Sequence, residues 1–290
     1  GVAIAHRAGA LIEQMHYIQF HPTALFQSNT NPYFLISEAV RGFGGTVVNH
    51  EAQRFLFQYD LRGELATRDI VSKAIGTELQ KSGKEYAFLD CRHIESIEFE
   101  KHFPTISSYC QSIGIYPNKD LIPIVPVAHY QCGGITVNEK SRTSINNLYA
   151  AGECTKTGLH GKNRLASNSL LEALVFAHQG AEDVCNSVDL IDFAVSSNTN
   201  NRSVSPLKIN TMTFPELKRE LQTAMNYFYL NQSENHDITY QKIEDLKAII
   251  HNLANKDSFC LQLQELENML TVASIIVEHS TISYKKISIF

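Results

Sequence analysis

Apolar residues recur along the chain in patterns that change twice, and each change predicts a different kind of unit. Between residues 14 and 130, short strand-like runs surround one segment, Asp69 to Gln80, in which apolar residues return every three or four positions. That period places them on one face of a helix. We therefore predict an α+β domain over residues 15–130.

Glycine-rich turns and loops mark the second region, from residue 131 to about residue 194. Gly133 and Gly134 precede a strand-like run at residues 147–152, and a long apolar helix is predicted from Ser169. A strand, a glycine-rich loop and a helix in that order are typical of an α/β domain that binds a nucleotide.

The last region is predicted to be helical. Residues 195–212 are interpreted as a linker because serine and asparagine dominate their first half and leave little to bury. Helical periodicity then returns in three stretches, which predict a helical bundle over residues 213–290. The stretches are Thr213 to Tyr229, Tyr240 to Leu253 and Phe259 to Val277.

Composition narrows the functional classes. Hydrophobic residues make up 43% of the 290 and charged residues 19%, as in ordinary folded proteins. The net charge of −5, without a dense run of lysine and arginine, argues against nucleic acid as a partner. No apolar run reaches the ~18 residues that predict a membrane span. Six cysteines without a CxxC pair indicate free thiols, so we expect a cytoplasmic protein.

The loop before the long apolar helix carries candidate chemistry. Gly158 and Gly161 allow the backbone to approach a flat ligand, and residues 163–169 place polar groups directly before the helix. A helix N-terminus that opens into a cavity stabilises developing negative charge, for example on the edge of a reduced isoalloxazine ring. The alternative is that Ser169 serves only as the N-cap of its helix.

Arg68 is a candidate because it opens a predicted helix, where a cation opposes the helix dipole. A compensating partner is therefore expected. The alternative to a functional role is a surface salt bridge to Glu64 or Asp69.

Two histidines are further candidates. His21 precedes Pro22, which disfavours helix at His21 and sets the direction of the chain there. His129 lies shortly before Cys132. Each histidine alone is more often a structural residue whose hydrogen bonds are satisfied. Because no His, Cys or Asp spacing resembles a closed zinc site, no metal is predicted.

These segments, in order, resemble the succinate dehydrogenase, fumarate reductase and L-aspartate oxidase flavoprotein family from residue 1 to about residue 188. Details at Cys132-Gly-Gly and Thr157-Gly-Leu-His-Gly161 resemble the aspartate oxidases more than the respiratory enzymes. The shared motifs are Gln19-Phe-His-Pro-Thr23, Ser37-Glu-Ala-Val-Arg-Gly42, Glu64-Leu-Ala-Thr-Arg-Asp69, His129-Tyr130, Leu148-Tyr-Ala-Ala-Gly-Glu153 and the run from His160 to Glu172.

The resemblance implies a non-covalent FAD beneath a capping domain. Glu153 is then expected to bond the ribityl hydroxyls, and Asn168, Ser169 and Leu170 to contact the flavin, the last two through backbone N–H groups. The GxGxxG fingerprint that cradles a pyrophosphate does not occur in the 290 residues. Residues 1–14 read as the end of a preceding segment, so we expect the C-terminal part of a longer protein.

A dicarboxylate clamp is also implied. His21, His129 and Arg164 are expected to bind the substrate carboxylates, with Gln19 and Ser37 alongside. Arg68 occupies the position of the family's active-site arginine and, with His21, His129 and Arg164, completes the expected catalytic set. Guanidinium groups suit this role because they bind carboxylates in bidentate fashion.

The implied reaction is oxidation of L-aspartate to iminoaspartate by hydride transfer to FAD, which feeds quinolinate and NAD biosynthesis. Oxygen or fumarate would accept the electrons, and quinolinate synthase would be a protein partner. Two alternatives stay open: a fumarate reductase or succinate dehydrogenase flavoprotein subunit, and a catalytically silent chain without a complete FAD site. His16 and Phe43 depart from the family pattern.

Overall fold

The computed structural model describes residues 1–28, 30, 32–187, 205–206, 213–230, 236–253 and 258–287. They divide into two compact units, one of residues 1–18 with 131–290 and one of residues 19–130. Each unit has its own buried apolar cluster. The predicted combination of α+β and α/β architecture is confirmed. Most of the predicted linker at residues 195–212 lies outside the described residues.

The predicted helices are confirmed, and the last of them extends well beyond its predicted end. Within the described ranges, none is long and apolar enough to cross a bilayer. The α-helices are α1 (Val2–Arg7), α2 (Glu38–Gly42), α3 (Arg68–Ser82), α4 (Ser96–His102), α5 (Pro104–Ser112), α6 (Asn168–Ser187), α7 (Thr213–Leu230), α8 (His236–Leu253) and α9 (Leu261–Ile287).

The strands form three small sheets in the described residues. Their orders are β2-β5-β4-β3, β1-β6-β7 and β8-β9. The strands are β1 (Ile12–Glu13), β2 (Ile18–Leu25), β3 (Thr46–Val48), β4 (Ala87–Asp90), β5 (Ile122–Gln131), β6 (Gly134–Thr136), β7 (Thr155–Lys156), β8 (Ser205–Pro206) and β9 (Ser258–Phe259).

The strand predicted at residues 147–152 is wrong. Asn147 has a φ of 62°, and Tyr149 forms only an isolated antiparallel bridge to Arg142. The N–H of Ala150 bonds the carbonyl of Ser141 next to that bridge, so residues 148–150 run back along residues 141–143. Because a left-handed residue interrupts the run at its start, the segment turns back on itself instead of extending.

The unit of residues 19–130 is built on the sheet β2-β5-β4-β3. Strand β4 pairs antiparallel with β3 on one side and with β5 on the other. Val71, Ala74 and Ile75 of α3 are fully buried in the same apolar cluster as Leu89 of β4 and Ile122 of β5. This packing fixes the start of α3, where Arg68 lies.

In the other unit, α7, α8 and α9 pack against one another as the predicted bundle. Helix α9 is also bonded to the first residues of the chain. Arg7 Nη2 donates to Asn268 Oδ1 at 2.6 Å, and the N–H of Met15 donates to His279 Nδ1 at 3.2 Å.

Helix α6 buries two carboxylates and exposes several of its apolar side chains. Glu172 and Asp183 are 3% and 6% exposed, whereas Leu170 and Leu174 are 74% and 69% exposed. The carboxylate of Asp183 accepts a hydrogen bond from Tyr149 Oη at 2.7 Å and forms an ion pair with Arg142. Burial on this helix therefore follows hydrogen bonding rather than hydrophobicity.

Replacing Ile75 with alanine tests the packing of α3. The Ile75 side chain is fully buried, so Ile75→Ala leaves a cavity and is expected to lower the free energy of unfolding by about 2–5 kcal/mol. Ile97→Ala on α4, where the side chain is 69% exposed, is the control and should cost less than about 0.5 kcal/mol. Urea denaturation of both variants measures the difference; equal losses would contradict the packing described.

Candidate active site

Strand β2 presents three polar side chains on one face. Gln19, His21 and Thr23 alternate along the strand and are 3%, 4% and 0% exposed. The N–H of Thr23 donates to His21 Nδ1 at 3.3 Å, so Nδ1 is an acceptor and the neutral ring carries its proton on Nε2. His21 is thereby oriented with a hydrogen-bond donor at Nε2.

His129 on β5 lies beside this face. Its ring meets that of His21 edge to face, with the centroids 5.3 Å apart. His129 Nε2 is 3.2 Å from Arg68 Nη1 and 3.3 Å from Gln19 Oε1. A guanidinium only donates, so Nε2 accepts in its contact with Arg68. The structure therefore brings together four of the predicted residues, Gln19, His21, Arg68 and His129.

Glu38 joins two arginines in a chain that sequence reasoning missed. Arg68 Nε donates to Glu38 Oε2 at 2.7 Å, and Arg41 Nη2 lies 3.3 Å from Glu38 Oε1. We call this the Arg68–Glu38–Arg41 chain. Both Glu38 and Arg41 lie in a motif that the sequence analysis quoted without giving them a role. Their spacing of three residues on one helix was the available signal.

The expected salt bridge from Arg68 to Glu64 is wrong. Glu64 forms its ion pair with Arg54 instead. The Nε and Nη2 atoms of Arg54 donate to the two carboxylate oxygens of Glu64 at 3.1 and 2.7 Å. Glu64 also accepts from the N–H of Val47. With its oxygens engaged in this way, the carboxylate is held away from Arg68, whose ion pair is with Glu38.

Arg41 is a buried cation, 2% exposed. Its Nη1 donates to the carbonyl oxygens of Glu64 and Ala66, Nη2 has its ion pair with Glu38, and Nε makes no hydrogen bond. Burial lowers the pKa of Arg41, and the charge of Glu38 opposes that effect. The positive charge of the buried Arg41 guanidinium is therefore only partly compensated.

The position of His21 makes it neutral. Burial, together with the charges of Arg68, His129 and Arg41, lowers the pKa of His21 from 6.5 to about 3. A neutral imidazole that donates from Nε2, next to two guanidinium groups, suits a carboxylate ligand. Such a ligand adds the negative charge that the group lacks.

Ser37 is the N-cap residue of helix α2. Its Oγ accepts from the N–H of Ala39 at 3.2 Å, so it caps α2 and places Glu38 in the first turn. The pairing of Ile36 with Thr23 brings that cap to strand β2. The expected contact of Ser37 with substrate stays a prediction.

Arg164 belongs to the other unit. It is 8% exposed, and its Nη1 lies 3.4 Å from Ser169 Oγ and 3.5 Å from the carbonyl oxygen of Leu165. Arg164 and Ser169 are therefore neighbours within that unit.

Helix α6 begins at Asn168, so Ser169 lies inside the first turn and is not the N-cap. Ser167 before it has a φ of 71°. Gly158 and Gly161 have φ values of 93° and 56°, and a Cβ at either position would meet no atom within 4 Å. An open backbone and the N–H groups of a long helix suit the electron-rich edge of a flat ring.

Glu153 lies in the loop that leads into strand β7. It is exposed, and its Oε1 accepts from the N–H of Gln131 at 3.1 Å. The other oxygen can receive a hydroxyl. Together with the open glycine backbone and the start of α6, Glu153 gives the donors and acceptors that FAD requires, so these residues fit that cofactor. Among the described residues, no group of three or more His, Cys, Asp or Glu side chains is placed to hold a metal ion.

Comparison with known proteins agrees with this fit. The sequence profile of the FAD binding domain family matches residues 1–170. The chain belongs to this family. It is 43% identical over 241 residues to L-aspartate oxidase 2-a, chloroplastic, from Nicotiana tabacum, covering 78% of this chain and 37% of that protein. It is 48% identical over 184 residues to L-aspartate oxidase 1 from Ralstonia nicotianae, covering 63% of this chain and 34% of the relative.

A solved structure of another flavoprotein has a similar fold. The chain superimposes on quinol fumarate reductase from E. coli with a TM-score of 0.79 and 25% identity, covering 96% of this chain and 53% of that one. The chain thus spans 34% and 37% of the two oxidases and about half of the reductase.

Replacing His21 with glutamine tests its neutral state. Between pH 3 and pH 6.5 the unfolded chain binds a proton at His21 that the folded chain excludes, so stability rises with pH through this window. His21→Gln is expected to reduce the fall in Tm between pH 7 and pH 4 by several degrees.

His102→Gln on α4 is the control for this experiment. That ring is exposed, so the pH profile of Tm should keep its shape. If Tm falls as steeply towards acid pH in His21→Gln as in the unaltered chain, His21 is not the group that the folded chain keeps unprotonated.

Proposed function

We propose that this chain is part of an enzyme that oxidises L-aspartate to iminoaspartate by hydride transfer to FAD. The L-aspartate oxidases named above support the substrate and the reaction. In this proposal residues 15–130 are the capping domain, residues 131–194 return to the FAD-binding domain and residues 213–290 are the helical bundle.

The observation that carries the proposal is the cluster of His21, His129 and Arg68. In this cluster Arg68 also belongs to the Arg68–Glu38–Arg41 chain. Two guanidinium groups share one carboxylate, which leaves net positive charge next to neutral donors. A dicarboxylate satisfies both features because it brings negative charge and hydrogen-bond acceptors.

Each residue then has a role. His21 donates from Nε2 to one substrate carboxylate, and His129 and Gln19 bind alongside it. Arg164 binds the second carboxylate, and Ser37 completes the substrate contacts. Fixing the substrate at both ends aligns the reacting carbon, which supplies much of the rate.

Arg68 faces the reacting carbon and also connects it to a proton acceptor. When the C2–N bond of L-aspartate becomes an imine, the amino group releases a proton. Glu38 is the carboxylate bonded to Arg68, at 2.7 Å, so the proton can pass through the guanidinium to Glu38. Arg41 Nη2 lies 3.3 Å from the other oxygen of that carboxylate.

FAD would be held by Glu153 at its ribityl hydroxyls and by Asn168, Ser169 and Leu170 at the ring. When bound, it supplies the acceptor for the hydride that leaves C2 of the substrate. The N–H groups at the start of α6 would favour negative charge on the ring edge of the bound flavin.

The wider setting is also part of the proposal. The product would feed quinolinate and NAD biosynthesis, with oxygen or fumarate as electron acceptor and quinolinate synthase as a partner. Likeness to a fumarate reductase supports fumarate as acceptor. Six free cysteines fit a reducing compartment such as the cytoplasm, and the tobacco relative is named as chloroplastic.

A second candidate is a fumarate reductase or succinate dehydrogenase flavoprotein. The fold match to the E. coli reductase favours it, and the Arg68–Glu38–Arg41 chain would move a proton equally well in that reaction. Substrate distinguishes the two, because only the oxidase reduces its flavin with L-aspartate.

Removing Arg68 tests the proposal. Arg68→Ala is expected to slow anaerobic bleaching of the FAD-loaded protein by L-aspartate by on the order of 100-fold. Arg62→Ala is the matched control, since Arg62 is exposed and pairs with the neighbouring Asp60. Stopped-flow absorbance of the flavin gives both rates. Bleaching by succinate alone would favour the second candidate, and protein that stays colourless with added FAD would favour a silent chain.

Replacing Glu38 tests the proton path separately. Glu38→Gln keeps the shape but removes the base, so the bleaching rate should fall at least about tenfold while L-aspartate affinity changes little. Glu98→Gln, on the exposed side of α4, is the control. A loss of affinity with an unchanged rate would assign Glu38 to substrate binding instead.

A further inference from the structure

A buried contact between a histidine and a carboxylate links helix α6 to the loop that precedes it. His160 Nε2 lies 2.6 Å from Glu172 Oε2, and the two side chains are only 4% and 2% exposed. The other oxygen of Glu172 accepts a hydrogen bond from Thr157 Oγ1. One carboxylate therefore holds two points of the loop.

The pair is unusual for this helix. His178 and Glu182 form the same kind of contact one turn apart on α6, but their side chains are 69% and 58% exposed. An exposed pair contributes little, whereas a buried carboxylate is costly unless its hydrogen bonds are satisfied. Glu172 meets that condition with partners that both lie in the loop.

The loop carries the residues that matter to the site. Thr157 and His160 precede Arg164, and the loop ends at the start of α6 next to Ser169. Arg164 is 8% exposed, with Nη1 3.4 Å from Ser169 Oγ. Anchoring the loop on Glu172, within the second turn of α6, thus constrains Arg164 relative to the helix that carries Ser169.

The partners of Glu172 also fix the local turn. The N–H of Leu159 donates to Thr157 Oγ1 at 3.2 Å, while Thr157 Oγ1 donates to Glu172. Gly158 and Gly161, on either side, have left-handed φ values of 93° and 56°. A loop with two such glycines has many accessible conformations, and the carboxylate selects one.

We propose that Glu172 is a positioning residue that, through Thr157 and His160, holds Arg164 and the start of α6 in the geometry needed to bind a dicarboxylate beside the flavin. This deepens the proposed function and rests on it for the role of Arg164. The positioning itself can be measured without FAD or substrate.

The test uses the whole chain and two readouts. Glu172→Leu removes both acceptors at similar volume and is expected to speed amide exchange over residues 157–169 by about tenfold or more. The same variant should raise the rate at which phenylglyoxal modifies Arg164, read by peptide mass spectrometry, by a similar factor. Arg62, already exposed, is the internal reference and should react at an unchanged rate.

Three further variants separate positioning from general damage. Glu172→Gln keeps one acceptor and should give an intermediate effect. Thr157→Val removes a single link with little change in shape and supplies the test if Glu172→Leu does not fold. Glu182→Gln removes the exposed pair of the same helix and should change neither readout.

The outcomes are distinct. Exchange and Arg164 labelling that stay at the unaltered rates in folded Glu172→Leu or Thr157→Val would overturn the proposal, as would equal effects from Glu182→Gln. Faster exchange with unchanged Arg164 labelling would also overturn it, because the loop would then not position Arg164. If succinate fails to protect Arg164 in the unaltered chain while the variants behave as expected, the proposed function fails and the positioning stands.

Discussion

The unit of residues 19–130 depends on one carboxylate shared by two guanidinium groups. Glu38 lies between Arg68 and Arg41, and without it two cations would face each other in a partly buried space. The sharing is incomplete, because one carboxylate lies between two cations and the buried Nε of Arg41 makes no hydrogen bond. Burial, together with this positive charge, lowers the pKa of His21, and the uncompensated charge favours an anionic ligand. The same uncompensated positive charge of Arg68 and Arg41 therefore bears on both the stability of the unit and its proposed function.

A similar rule governs helix α6 in the other unit. Two of its buried residues are carboxylates, each held by partners from a preceding loop, whereas leucines on the helix are exposed. Asp183 binds Tyr149 and Arg142, and Glu172 binds His160. Polar contacts therefore decide which face of the helix is buried and how the preceding loops are held against it. In both units, a carboxylate organises the residues that belong to the candidate chemistry.

Periodicity predicted the elements better than it predicted the site. Helix α3 followed from apolar spacing because its buried face is long and regular. The partner of Arg68 did not, since Glu38 is thirty residues away and reaches it only after segment 34–36 pairs with strand β2. The strand at residues 147–152 failed because one left-handed residue outweighed the propensity of its neighbours. Gln19, His21, Arg68 and His129 came from family motifs, and their proximity depends on tertiary pairing that no local pattern contains.

Histidine NMR tests the central claim most directly, namely that a neutral His21 beside two arginines receives a dicarboxylate. In the chain labelled at histidine, the His21 resonances are predicted to keep the neutral Nε2–H form from pH 8 down to about pH 4.5 and to shift when succinate is added. A His21 signal that titrates near its ordinary pKa of 6.5, or that ignores succinate at every pH, would contradict the account.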